Sequence, residues 1–123
     1  TVWREPVENY RSAERFAREW VEAWNAHDLD AILSHYHDDF EMASPRIATV
    51  VGEPSGVLHG KAAIGAYWKK ALAVAPDLHF ELLAVFVGAK SVALHYQGPR
   101  GPAVETFELD EQGRVLRAAA HYP

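Results

Sequence analysis

Three kinds of residue in this chain are equipped for chemistry: a carboxylate set among apolar neighbours, seven histidines, and a group of tryptophans and tyrosines. Glu105 comes first. In Val104-Glu105-Thr106-Phe107-Glu108-Leu109, strand alternation puts Glu105 on the same side as Phe107 and Leu109. A carboxylate among apolar side chains loses hydration, and that raises its pKa toward neutrality. Such a group can give a proton to a substrate or take one from it. The competing reading is a carboxylate at a strand end, solvated or paired with a surface arginine.

The histidines offer less. His35, His37, Asp38 and Asp39 have the composition of a metal cluster. On a helix, however, His35 and His37 point to different sides, and only Asp39 follows His35 at the four-residue step. A solvated helix end is expected there, and no metal. His79 shares strand parity with Glu81, His95 flanks Tyr96, and His121 shares the outward parity of Arg117; all three are expected to face away from the core. His59 reads as the neighbour of a helix N-terminal cap, with a base at a pocket rim as the alternative. The sequence has no cysteine, which removes thiolate and disulfide chemistry. It has no glycine-rich phosphate loop, Ser-His-Asp order or dinucleotide fingerprint, so a site without cofactor is expected.

These side chains need elements to hold them. Ala13, Phe16, Ala17, Trp20, Ala23, Trp24 and His27 recur at three- and four-residue steps, predicting a helix from about Ser12 to Ala26. Asp28 can cap a second, short helix with Leu29, Ile32, Leu33 and Tyr36 turned inward. Asp38-Asp39 breaks the helix, and Phe40 to Ser44 then alternates as a strand, with Phe40, Met42 and Ser44 on one side. Two prolines and three glycines make Pro45 to Gly60 an irregular excursion. A third helix runs from Lys61 to about Ala75, stopped by Pro76, with Ile64, Tyr67, Trp68, Ala71 and Leu72 on its apolar face. Beyond it the period changes to two: Leu78–Val87, Ser91–Tyr96, Ala103–Leu109 and Arg114–Tyr122 read as four strands of an antiparallel meander.

Three helices followed by a curved, mostly antiparallel sheet make an α+β fold. A sheet covered by helices on one side curls around them and can leave a hollow. In the last strand an outward Arg117 puts Leu116, Ala118, Ala120 and Tyr122 inside, and the two alanines leave room that Leu or Ile would fill. A tight helix–sheet contact is the alternative. If the hollow exists, the helices supply Trp20, Trp24, Tyr36, Tyr67 and Trp68 to its wall. The strands supply Met42, Ser44, Phe107, Ala118, Ala120 and Tyr122. Trp20 and Tyr67 are best placed to bound a ligand and donate to it, whereas Trp24 reads first as core packing. The expected occupant is a small hydrophobic organic molecule.

Bulk properties narrow the field. At 123 residues the chain is expected to form one domain over 1–123, with residues 1–10 a peripheral or flexible segment. A hydrophobic fraction of 49% excludes a disordered chain. A net charge of −5 argues against a nucleic acid partner. No apolar run approaches the ~20 residues of a membrane span. Thr1 to Pro6 lacks an apolar signal core, so the cytoplasm is the expected location.

Several short motifs, in order, carry a resemblance. They are Trp24-Asn25-Ala26-His27-Asp28-Leu29-Asp30, Tyr36-His37-Asp38-Asp39-Phe40, Gly52-Glu53-Pro54 and Gly60-Lys61-Ala62-Ala63-Ile64, then Tyr96-Gln97-Gly98 and Asp110-Glu111-Gln112-Gly113-Arg114-Val115. Together they resemble the nuclear transport factor 2-like (NTF2-like, cystatin-like) superfamily, in its SnoaL-like and ketosteroid-isomerase-like branch, from about Ser12 to Tyr122. The resemblance implies a cone-shaped barrel with its pocket at the wide end, in a homodimer paired through the outer sheet face. Ketosteroid isomerase moves a proton with an Asp base and holds the enolate with a Tyr and a protonated Asp. On this chain the base position falls at Ser44, the Tyr at Trp20 and the protonated acid at Glu105, while the aromatics of the third helix align with Tyr67 and Trp68. One role of three keeps its chemistry, so strict ketosteroid isomerase activity is not expected. The Asp or His of SnoaL-type cyclases and the His–Asp pair of related dehydratases do not map either. What remains is a class: a cofactor-free isomerase, cyclase or lyase acting on a hydrophobic carbonyl-type substrate, with Glu105 as acid/base. The alternatives are a non-catalytic ligand-binding module, or a protein-interaction module using the outward strand residues Val85, Val87 and Ala119.

Overall fold

The computed structural model describes residues 6–123. In chain order the elements are α1 (Pro6–Asn25), α2 (Leu29–Leu33), β1 (Tyr36–Ala43), α3 (Pro45–Val51), β2 (Val57–His59), α4 (Lys61–Val74), β3 (Glu81–Val87), β4 (Ser91–Gly98), β5 (Gly101–Leu109) and β6 (Val115–His121). The six strands form one sheet in the order β2-β1-β6-β5-β4-β3. β1 and β6 run parallel; every other neighbouring pair is antiparallel. The sheet does not close, since β2 and β3 remain its edges, so the expected cone is open along one side.

The apolar stripe of α1 lies in the core: Ala13, Phe16, Ala17, Trp20, Ala23 and Trp24 are all buried. Among the described residues α1 runs from Pro6, earlier than the expected Ser12. Residues 6–10 belong to this helix; residues 1–5 lie outside the described residues. Asp28 caps α2 as expected, accepting from the Ala31 amide at 3.1 Å. Tyr36 is not on that helix. The His35 carbonyl accepts from Val115 N at 2.9 Å, which draws the chain into the sheet and makes Tyr36 the first residue of β1. Asp38-Asp39 falls at a register shift within β1 and does not break it. Tyr36 and Phe40, of one parity, both point inward, whereas Asp38 between them is exposed at the shift.

Pro45 to Gly60 is more regular than its composition suggested. Ser44 caps α3 with its side chain, Pro45 occupies the first turn, and Gly52 ends the helix at φ 80°. Residues read as breakers are here the two ends of a helix, so the described residues form four helices, not three. Two further corrections come from irregularities in the sheet. A register shift between Leu82 and Ala84 turns Val85 inward, against the core, where an outward position was expected. Another, between Glu108 and Leu109, buries Val115 and leaves both Leu116 and Arg117 exposed. Leu116 is therefore not a core residue.

Candidate functional site

The helices and the inner face of the sheet enclose a cavity of about 340 Å³, within the range of about 300–1,000 Å³ typical of small-ligand sites. Trp20 and Trp24 of α1, Tyr67 and Trp68 of α4, and Met42 and Ser44 at the end of β1 line it, with Glu105 and Tyr122. Four residues placed in the wall from sequence are core instead. Tyr36 is fully buried with its ring on Phe40. Phe107 packs edge-on against Phe16 and Trp20. Ala118 and Ala120 lie across from Phe107 and Glu105 in the β5–β6 ladder.

Glu105 projects from the middle of β5 and is only 4% exposed. Tyr96 of β4 donates its hydroxyl to Glu105 Oε1 at 2.9 Å. Among the described residues no cation pairs with the carboxylate. Burial pushes its pKa up to about 7, and the hydrogen bond from Tyr96 offsets only part of that rise. Burial, and then the charge of Glu105, hold the Tyr96 phenol far above its ordinary pKa, so it stays a neutral donor. Tyr36 is likewise kept neutral, by burial and then by Glu105. Trp20 Nε1 donates to the Tyr36 hydroxyl at 2.9 Å, so the indole N–H expected to meet a ligand is already engaged. The site therefore offers a carboxyl that exchanges protons near neutrality, beside a phenol that does not ionise.

Ser44, where a base would be needed for ketosteroid isomerisation, is buried and accepts from the Arg46 amide at 3.2 Å. It caps a helix and takes no proton. Its hydroxyl also neighbours the Tyr67 and Tyr122 phenols. The Arg46 guanidinium lies 3.9 Å from the centre of the Tyr122 ring.

The remaining sequence candidates lie elsewhere. His79 and His121 are exposed and His95 is half-buried, opposite in parity to Tyr96. His37 lies in β1, not on a helix end. His59 ends β2 with its Nδ1 3.8 Å from Glu41; Gly60 is the helix cap residue. No group of three or more His, Cys, Asp or Glu among the described residues is arranged to hold a metal. Sequence reasoning missed Tyr96, Phe80 and Arg46. Tyr96 was within reach, because alternation along Ala93–Gln97 with His95 outward turns Tyr96 to the face that Glu105 occupies. Phe80 precedes β3, in a segment read as strand, and Arg46 sits in the excursion that looked irregular, with no period to read.

A curved, mostly antiparallel sheet backed by helices, with an aromatic cavity between the layers, defines the cystatin-like α+β class. The chain belongs to the SnoaL-like domain family, whose profile matches residues 17–122. It is 56% identical to a SnoaL-like protein of unknown function from Burkholderia thailandensis, with a TM-score of 0.89 over 92% of this chain and 95% of that one. TerC, crystallised with polyporic acid, shares the fold at 16% identity and TM-score 0.74, covering 91% and 92%. So does a suggested ketosteroid isomerase from Kribbella flavida, at 16% identity and TM-score 0.72, covering 92% of this chain and 78% of that chain. No curated protein matches.

Proposed function

We propose that the protein binds a small hydrophobic carbonyl compound in this cavity and moves a proton on it, as a cofactor-free isomerase, cyclase or lyase. One observation carries the reading: a buried carboxyl without a counter-ion, facing an aromatic cavity, with its pKa near 7. As carboxylate, Glu105 removes a proton from carbon next to the substrate carbonyl, and electron density moves onto the carbonyl oxygen. As carboxylic acid, it returns that proton to a different atom, and the cycle closes without external reductant or oxidant. The co-crystal of TerC with polyporic acid supports a small organic occupant as the class of ligand.

The test begins without a substrate. Carbon-detected NMR titration of Glu105 is expected to give a midpoint near 7; a midpoint at the ordinary carboxylate value of ~4.3 removes the acid–base reading. Once a substrate is found, Glu105→Gln should abolish turnover while the far-ultraviolet spectrum stays unchanged. A second reading, ligand binding without turnover, is favoured by Ser44 standing where a base belongs and by the engaged N–H of Trp20. Thermal-shift screening followed by chemical analysis separates the two, since a binding module returns its stabilising ligand unaltered. For the assembled state we propose a homodimer through the outer sheet face.

A further inference from the structure

The charged residues of the cavity wall do not follow the composition of the chain. The sequence has 17 acidic residues against 12 Lys and Arg. The wall has three cations, Arg46, Lys70 and Arg100, and one carboxyl, Glu105. Among the described residues none of the three cations forms a salt bridge. Lys70 and Arg100 are exposed, but Arg46 is half-buried, with its guanidinium carbon over the Tyr122 ring, 3.9 Å from the ring centre. Tyr67 and Tyr122 line the same stretch of wall; burial raises the pKa of both phenols, which stay neutral donors, and the nearby guanidinium offsets only part of that rise. A fixed guanidinium fork beside two hydroxyls is a receptor for an anionic oxygen group, and it leaves an unpaired charge at the cavity when nothing is bound.

From this arrangement we infer that the ligand is an amphipathic acid: an apolar ring system carrying a carboxylate or ionised enol, which Arg46, Tyr67 and Tyr122 receive while the apolar body reaches toward Glu105. The inference rests on the cavity reading above and narrows it. Two groups of opposite function then lie along one cavity. Arg46 fixes the anionic end and so sets which carbon faces Glu105. Lys70 and Arg100, solvated at the rim, add attraction for an anion without a fixed contact.

The test uses two probes of one shape, anthraquinone-2-carboxylate and anthraquinone-2-carboxamide, titrated calorimetrically into the intact protein at neutral pH. The acid is expected to bind about 10-fold or more tightly, the size of one charge-assisted hydrogen bond. Arg46→Gln should remove that preference and leave the affinity for the amide unchanged. Lys69→Gln, which deletes a cation outside the cavity, should retain it. Should Arg46→Gln fail to fold, Tyr122→Phe keeps the ring beneath the guanidinium, deletes one hydroxyl, and is expected to weaken only the acid. Equal affinities of the wild-type protein for both probes overturn the anion subsite and leave the cavity reading standing. Failure of both to bind, with Glu105 still titrating near neutrality, overturns this ligand class and spares the proton-transfer reading.

Discussion

Glu105 is an acid whose surroundings favour its neutral form, and that preference is felt by the whole fold. Its carboxyl titrates at about 7 in the native state against 4.5 when solvated. Between those values the folded protein holds a proton that the unfolded chain has released, so stability falls as pH rises through this window. The difference is worth roughly 3 kcal/mol at about 1.4 kcal/mol per pH unit. Glu105→Gln is neutral at every pH and keeps an oxygen to accept from Tyr96. Denaturant melts are expected to show wild-type stability dropping from pH 5 to pH 8 by a few kcal/mol relative to the variant, which should be the more stable protein above pH 7. Parallel pH profiles for the two proteins would remove this account. The position of Glu105 was legible from alternation along β5, because nothing interrupts that strand's period from Ala103 to Phe107. Its partner Tyr96 needed the β4–β5 register as well, and the role of Arg46 needed the fold of a segment with no period to read.

Between elements, the junction after α1 shows why a loop sequence can be informative. Asn25 donates from Nδ2 to the Phe80 carbonyl at 3.0 Å and accepts from the Phe80 amide at 2.7 Å. His27, at φ 55°, brings its Nε2 to 2.8 Å from the Leu78 carbonyl. The end of the first helix thereby grips the approach to β3, 51 and 55 positions further along the chain. That grip fixes Phe80, whose ring stacks on Trp20 at 5.6 Å and lines the cavity. Asn25→Ala should cost about 2 kcal/mol, near 1 for each hydrogen bond lost, and should weaken ligand binding by freeing Phe80. Unchanged melting would show that the clamp is dispensable. The Trp24–Asp30 motif was visible as a resemblance, but its work was not, since its partners lie in a segment expected to be strand. The sheet's register shifts escaped for a related reason. A bulge inverts inside and outside beyond it, so Val85 and Leu116 were assigned to the wrong faces by a rule that is sound for uninterrupted strands.

On the scale of the molecule, the outer sheet face is the surface without a covering layer. Phe86 is 60% exposed there. Across the strands it continues into Ala93, Thr106 and Ala119, and the adjacent row runs Ala84, His95, Val104 and His121. Such rows on an antiparallel sheet are a natural contact for a second copy. Sedimentation velocity is expected to give a dimer, and Val104→Lys a folded monomer; a wild-type monomer at all concentrations would oppose the proposal. No helix among the described residues is long and apolar enough to cross a membrane.

The place of β6 has a consequence for how the chain is made. Although last among the strands in sequence, it lies between β1 and β5 and joins the two parts of the sheet. During synthesis, a nascent chain short of residue 115 can assemble only β2-β1 and β5-β4-β3, two fragments with raw edges where the ladder should continue. Joining of the sheet then waits on the ribosome, and a premature stop leaves sticky halves instead of a weakened whole.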